Sequence, residues 1–322
     1  MLILTSKRWD PTGFDTSNVE PYEITALNKF IIKYYLLIYL VLIAIAVSVS
    51  LLLTETIIET SIYLGIGLVF VFGIMYGFFG KIKKKSIKYD IAKKNDWVFK
   101  GSASKELHTL YSQRFPKIFN LGNNFRKSLE GVFWGDYEKN GEKFDFVLGN
   151  FNYSQTYHTR KGRQTKNYTD HFFILRLNTE ISTNFYLKQK NIGSKFLGAF
   201  SKKNITTESI DFNKAFSFSY ETREGDTEVN IMSILSPVLL EELVNFSNKK
   251  KSMKTSLGGV RVFFRRDCVV FTAPGPLLKT KGGFTPRSLE VKPSDVSEVQ
   301  EELDFLFNLG LKMSSNLSDS DY

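Results

Sequence analysis

The pattern of apolar and polar positions changes character twice along the chain. Residues 1–28 are polar and acidic, with no sustained period. Two uncharged runs of 21 residues follow, Tyr34–Thr54 and Thr60–Gly80, separated by the five residues Glu55–Glu59. At about 1.5 Å per residue, each run as one helix reaches roughly 30 Å, the thickness of a bilayer core. The short connection predicts an antiparallel pair. On this pattern the chain is expected to carry a transmembrane hairpin over residues 29–80.

Beyond residue 95 the pattern becomes that of strands. Trp97–Phe99 reads as a short strand. Ser104 is placed to cap a helix running to about Arg114, with Leu107, Leu110 and Tyr111 on one face and Pro116 past its end. Leu129, Val132 and Trp134 precede the turn EKNGEK, where Asn140-Gly141 predicts a tight hairpin. Phe144, Phe146, Leu148, Phe151 and Tyr153 nearly alternate. Phe173, Leu175 and Leu177 line one face of the next strand, while Phe172 and Ile174 suggest cover on its other face. Phe216, Phe218 and Tyr220 alternate again. Ser236-Pro237 predicts a helix start, and Val260–Phe264 with Val269–Phe271 predicts a hairpin over Arg265-Arg266-Asp267. A last helix is expected from Pro293-Ser294, with Asp295 and Glu298 at capping-box spacing and Gly310 as its stop.

These elements predict an α+β fold: a two-helix transmembrane hairpin followed by a cytoplasmic domain with a largely antiparallel β-sheet and flanking helices. The expected divisions are a polar N-terminal segment 1–28, the hairpin 29–80, a basic juxtamembrane segment 81–95, the α+β domain 96–312 and a polar tail 313–322. No regular β-α-β alternation and no fixed-period repeat is present, which excludes a doubly wound nucleotide fold and a solenoid.

Charge adds orientation. The chain carries a formal net charge of +10, but its first 80 residues hold four Lys/Arg and six Asp/Glu, leaving 39 and 27 to the rest. The loop between the apolar runs has no Lys or Arg. Lys29 and Lys33 precede the first run and Lys81, Lys83, Lys84, Lys85 and Lys88 follow the second. The positive-inside rule then places both termini in the cytoplasm. The basic flank and the basic domain fit an anionic lipid surface or an acidic protein, with nucleic acid ranked below both.

Candidate sites are few. Gly73 and Gly77 form a G-x-x-x-G step suited to close helix packing, against the first helix or in self-association. Arg160, Lys161, Arg163 and Lys166 cluster in YHTRKGRQTKNY without an acid, in a predicted hairpin with Lys161-Gly162 near its tip and Tyr157 close to Tyr168. These basic residues and Lys81, Lys83, Lys84 and Lys85 are the candidate contacts to an anionic partner. His108, His158 and His171 lack metal-site spacing, although His158 and His171 could meet across the hairpin. Cys268, the single cysteine, sits in an apolar strand and reads as a buried thiol. No phosphate-loop, dinucleotide or nucleophile-elbow motif occurs. No catalytic, metal or cofactor residue is therefore assigned.

The segment FNKAFSFSYETREGDTEVNIMSILSPVLLEELVNF, residues 212–246, resembles a bacterial membrane-protein family of unknown function, domain of unknown function 3137. The likeness rests on Phe212, Phe216 and Phe218 in an F-x-x-x-F-x-F strand and on the helix start Leu235-Ser236-Pro237. The stretch from Gly131 to Leu177 and two helices ahead of the domain are similar too. The resemblance implies a bacterial inner-membrane location and no activity. The function expected is a membrane-anchored cytoplasmic binding or scaffold module. The alternatives are a membrane-associated enzyme on lipid or envelope precursors, and an oligomeric channel or transporter subunit.

Overall fold

The computed structural model describes residues 7–20, 26–53, 55–74, 77, 80–160, 162–178, 180–181, 184–190, 207–220, 231–232, 234–250, 259–277 and 303–312. The expected cap residues Asp295 and Glu298 and the tail 314–322 lie outside these. The chain forms two units: one holds residues 1–20, 96–277 and 302–322, the other residues 21–95 and 278–301.

The second unit contains helices α1 (Ala26–Leu52), α2 (Ile57–Ile74) and α3 (Gly80–Lys94). α1 and α2 pack antiparallel, with Val71 buried among Ile38, Tyr39, Leu42, Ile43 and Ala46. A Cβ on Gly67 would stand 3.2 Å from the Ala46 Cβ, so the two helices come close there. At Gly73 and Gly77 an added Cβ would meet nothing within 4 Å among the described residues.

The expectation of a transmembrane hairpin is corrected: among the described residues, no helix is long and apolar enough to cross a membrane. The apolar runs are divided differently from their sequence limits. α1 takes in Lys29 and Lys33 and departs from helical geometry at Tyr34, the first residue of its run (φ −112°, ψ 19°). α2 includes Glu59 and ends at Ile74. The two-pass inner-membrane placement, with both termini cytoplasmic, loses its basis with the hairpin. Leu40, Ile45, Ile66, Val69 and Phe70 are nonetheless exposed on the pair.

The first unit is built on one eight-stranded antiparallel sheet, in the order β1-β2-β3-β4-β8-β7-β5-β6. Its strands are β1 (Val98–Lys100), β2 (Ser128–Lys139), β3 (Glu142–Thr159), β4 (Gly162–Arg176), β5 (Phe185–Gln189), β6 (Phe216–Tyr220), β7 (Arg261–Arg265) and β8 (Cys268–Pro274). The β2–β3 turn is Asn140-Gly141, both at positive φ (56° and 84°), as a two-residue hairpin of this hand requires. A bulge between Glu130 and Phe133 shifts the β2–β3 register, and Gly131 sits in it at φ 61°.

Helices cover both faces. On one face, α4 (Lys105–Arg114) and α5 (Pro116–Phe119) bring Leu107, Tyr111, Ile118 and Phe119 onto Trp134, Val147, Phe151, Phe172 and Val270. Ser104 caps α4, its hydroxyl accepting from the Leu107 N–H. Residues 7–20, read from sequence as a polar segment, pack here too through Trp9, Phe14 and Val19. They are tied down by Asp10, whose carboxylate accepts from the Trp134 Nε1–H at 2.6 Å and from the Tyr111 hydroxyl.

On the other face, helices α6 (Ile210–Ala215) and α7 (Pro237–Lys250) precede α8, which covers residues 303–312. Phe307 of α8 packs on Phe146 and Trp97, ring centroids 4.9 and 5.6 Å apart. Gly310 does not stop this helix, which continues through residue 312. Its role is close approach, because an added Cβ would stand 3.1 Å from Phe144 and 3.4 Å from Phe173. α7 is fastened at the β5 end. Gln189 donates to the Ser247 hydroxyl at 2.6 Å and accepts from the Val260 N–H at 2.8 Å.

Candidate functional site: the β3–β4 arm

The two longest strands outrun their neighbours. β2 leaves β3 at the pair Ser128↔Asn152, and β8 leaves β4 at Asp170↔Pro274. From Tyr153 to Tyr168 the chain therefore continues as a two-stranded arm beyond the sheet, closed by the pair Thr159↔Gly162. The turn that follows Thr159 includes Arg160, and Gly162 opens β4 at φ 110°. Lys161 itself lies outside the described residues.

Directly paired residues share a face of a ribbon. One face of the arm carries Gln155 with Lys166 and Tyr157 with Gln164. The other carries Thr156 with Thr165 and His158 with Arg163. The basic cluster is thus divided, Lys166 on one face and Arg163 on the other, with Arg160 at the turn. Arg160, Arg163 and Lys166 are all exposed. No acid occurs from Phe151 to Thr169.

Tyrosines stiffen the first face. The hydroxyls of Tyr157 and Tyr168 are 2.8 Å apart, as the expected hairpin requires. This hydrogen bond, with some burial and the neighbouring phenol, pushes the Tyr168 phenol up to about 12. The Lys166 ammonium lies 5.9 Å from the Tyr157 ring centroid. Tyr168 stacks on Tyr153 at 5.5 Å.

Below the arm, polar contacts run into the core. The Tyr153 hydroxyl donates to Asp170 Oδ2 at 3.2 Å. Arg261 of β7 pairs with that carboxylate at 3.0 Å, both side chains being buried, and donates to the Ile118 carbonyl at 2.8 Å. Burial pushes the nearby Tyr186 phenol up, while Arg261 pulls it the other way. Ile118 lies in α5, and the chain then returns to the arm. The Asn124 N–H donates to the Ser154 carbonyl at 3.3 Å. The Asn123 side chain donates to the Thr156 carbonyl at 2.9 Å and accepts from the Thr156 N–H at 2.8 Å. Gly122 is required at this seam: its φ is 74°, and a Cβ would lie 2.5 Å from the Ser154 carbonyl oxygen.

The remaining predicted residues are elsewhere. Lys81, Lys83, Lys84 and Lys85 lie on α3, in the other unit; the Lys85 side chain is half-buried, and those of the first three are outside the described residues. His158 and His171 are not brought together, because they pair with Arg163 and Asn150 respectively. His171 is buried with Nδ1 3.1 Å from the Gly275 carbonyl. His108 lies 3.1 Å from the Phe119 carbonyl and stacks on Phe151; desolvation lowers its pKa. Cys268 is buried, and desolvation pushes its thiol up. Among the described residues no group of three or more His, Cys, Asp or Glu is placed to hold a metal ion.

Sequence reasoning missed Asp170, Arg261 and Asn123. A signal existed for the first two, since each is a charge set against a strongly apolar strand run, HFFILRL and VFF. Asn123 gave none.

No family model matches the chain, and no curated protein matches it. Residues 221–230 of the segment that resembles the unknown-function family lie outside the described residues. Among solved structures, the crystal structure of the mycobacterial trehalose monomycolate transport factor A is similar over 73% of this chain and 93% of its own. The two share 9% identity with a TM-score of 0.32, a likeness too low to bear on fold or role.

Proposed function

We propose that the sheet unit is a non-catalytic binding module that holds an anionic partner on the β3–β4 arm. One observation carries this reading. A ribbon running beyond both neighbouring strands carries Arg160, Arg163 and Lys166, all exposed, and no acid occurs in the sequence from Phe151 to Thr169. A field of one sign on a projecting element attracts and steers a partner of the other sign. The buried acids of the unit support a binding role over a reactive one. Asp10 accepts from Tyr111 and Trp134, and Asp170 is paired with Arg261.

The test is a triple reversal, Arg160→Glu, Lys161→Glu and Arg163→Glu, in the full chain. Binding to three polyanionic probes is measured at low and physiological salt: poly-glutamate, vesicles containing an acidic lipid, and a single-stranded oligonucleotide. The wild type should bind at least one probe, more weakly as salt rises, and the variant should lose roughly tenfold or more. Unchanged binding by the variant would remove the arm from the account.

A further inference from the structure

The arm has two edges, and they are not equivalent. The β3 edge is covered near its base by the Asn123–Asn124 seam. The β4 edge has no partner strand among the described residues between Gly162 and Tyr168. β8 ends at Pro274, and the last main-chain bond to β4 runs from the Gly275 N–H to the Thr169 carbonyl at 3.0 Å. A proline cannot donate to a ladder, and Pro274-Gly275-Pro276 turns β8 away at this point.

Strand geometry fixes which groups this edge offers. Main-chain groups along an antiparallel strand turn to alternate sides with a period of two. Thr169 turns its carbonyl outward to Gly275. Asn167, Thr165 and Arg163 therefore turn their N–H and C=O groups the same way. That is a row of three open positions, about 20 Å long with its flanks at the usual rise per residue.

Charge fixes what can fill it. Positive residues on an edge discourage pairing with a second copy of the same strand. The same charges favour a strand of opposite sign. The arm's rings already have partners within the arm, Tyr168 on Tyr153 and Lys166 over Tyr157.

Resting on the binding reading above, we propose that the partner is an acidic, extended polypeptide segment that adds as a strand to the β4 edge of the arm. The side-chain pattern follows. A residue opposite Lys166 projects on one face and a residue opposite Arg163 on the other, and these sites are three residues apart. The favoured segment carries two carboxylates at i and i+3 within a β-prone stretch.

The experiment uses the full chain and a synthetic ten-residue peptide rich in Val and Thr, with Glu at two positions three apart. Companion peptides carry Lys at those positions, or N-methyl groups on every second amide in each of the two phases. Binding is measured by calorimetry, and hydrogen exchange is followed at the Arg163, Thr165 and Asn167 amides. The Glu peptide should bind and protect those three amides. One N-methyl phase should weaken it roughly tenfold or more while the other does not. Arg163→Glu with Lys166→Glu should reverse the preference to the Lys peptide. Equal loss in both N-methyl phases, or binding without protection of the three amides, overturns strand addition. So does binding of vesicles or oligonucleotide but not of the peptide; in that case the anionic-partner reading stands alone. No binding by any anionic probe overturns both.

Discussion

Replacing Arg261 by Met should destabilise the sheet unit by about 3–5 kcal/mol, the usual cost of removing one partner from a buried ion pair. The structure supports the full range. The side chains of Arg261 and Asp170 are 1% and 0% exposed, so water cannot take over the missing role. Met keeps the unbranched apolar stem of Arg but ends two atoms short, leaving the Asp170 carboxylate with a buried charge and the Ile118 carbonyl without its 2.8 Å donor. A unit of this size is stable by about 5–15 kcal/mol, so the change is about a fifth of the total or more. The double variant Asp170→Leu, Arg261→Met removes both charges. It should recover the part of the loss that belongs to the unpaired charge, leaving about 1 kcal/mol or more each for the Ile118 carbonyl, still without its Arg261 donor, and for the Tyr153 hydroxyl, without its Asp170 acceptor. The assay is urea unfolding followed by tryptophan fluorescence. Trp9, Trp97 and Trp134 are the three tryptophans of the chain, and all lie in the sheet unit, so the signal reports that unit. The reasoning is refuted if Arg261→Met costs less than about 1 kcal/mol. It is refuted equally if the double variant loses the sum of the singles, since contacting residues in one network should couple.

Asp10→Ala should cost about 2–3 kcal/mol in the same assay, because it strands the Tyr111 hydroxyl and the Trp134 indole N–H, both buried. Its emission spectrum should shift with the Trp134 environment, and Asp10→Asn should fall between. Tyr157→Phe should bring the Tyr168 phenol down from about 12 toward its ordinary 10, read by ultraviolet titration. In the wild type that raised value means a stabilisation present below pH 10 and lost as pH rises from 10 to about 12; the variant should lack this window. Asn123→Ala removes both side-chain bonds to Thr156 and should raise hydrogen exchange in the arm. Because no charge changes, affinity for an acidic probe should fall only through lost preorganisation, by roughly threefold to tenfold; an unchanged affinity would mean the seam does not hold the arm.

The strands were legible because burial on a sheet face repeats every second residue. The apolar residues of β3 show more than that. Phe144, Phe146 and Leu148 share one phase, and Phe151 and Tyr153 the other. The phase changes where the cover changes: Phe307 of α8 packs on Phe144 and Phe146, whereas Phe119 of α5 packs on Phe151. The Asn140-Gly141 turn and the Ser104 cap were legible for a different reason, since each is settled within a few residues by local backbone chemistry. Residues 7–20 were not legible as part of the core. Trp9, Phe14 and Val19 are five apart, a spacing that belongs to neither helix nor strand, and only their distant partners make sense of it. The transmembrane reading rested on hydropathy, which counts apolar residues along the sequence; among the described residues no helix is both long and apolar enough to cross a membrane.

The candidate site divides along the same line. Its charges are local, so Arg160, Lys161, Arg163 and Lys166 stood out in the sequence. What places them is non-local. Arg261 reaches Asp170 across 91 positions in the chain, and Asn123 reaches Thr156 across 33. These two contacts act at the base of the arm, one into the core and one along the β3 edge. Among the described residues, the seam covers the β3 edge near its base and the ion pair anchors the root, while the β4 edge has no partner strand from Gly162 to Tyr168. A floppy basic loop would bind polyanions by charge alone, paying its ordering entropy each time. A fixed basic edge can add a requirement for backbone direction and side-chain spacing. The difference between those two behaviours lies in Asp170, Arg261 and Asn123 rather than in the basic residues.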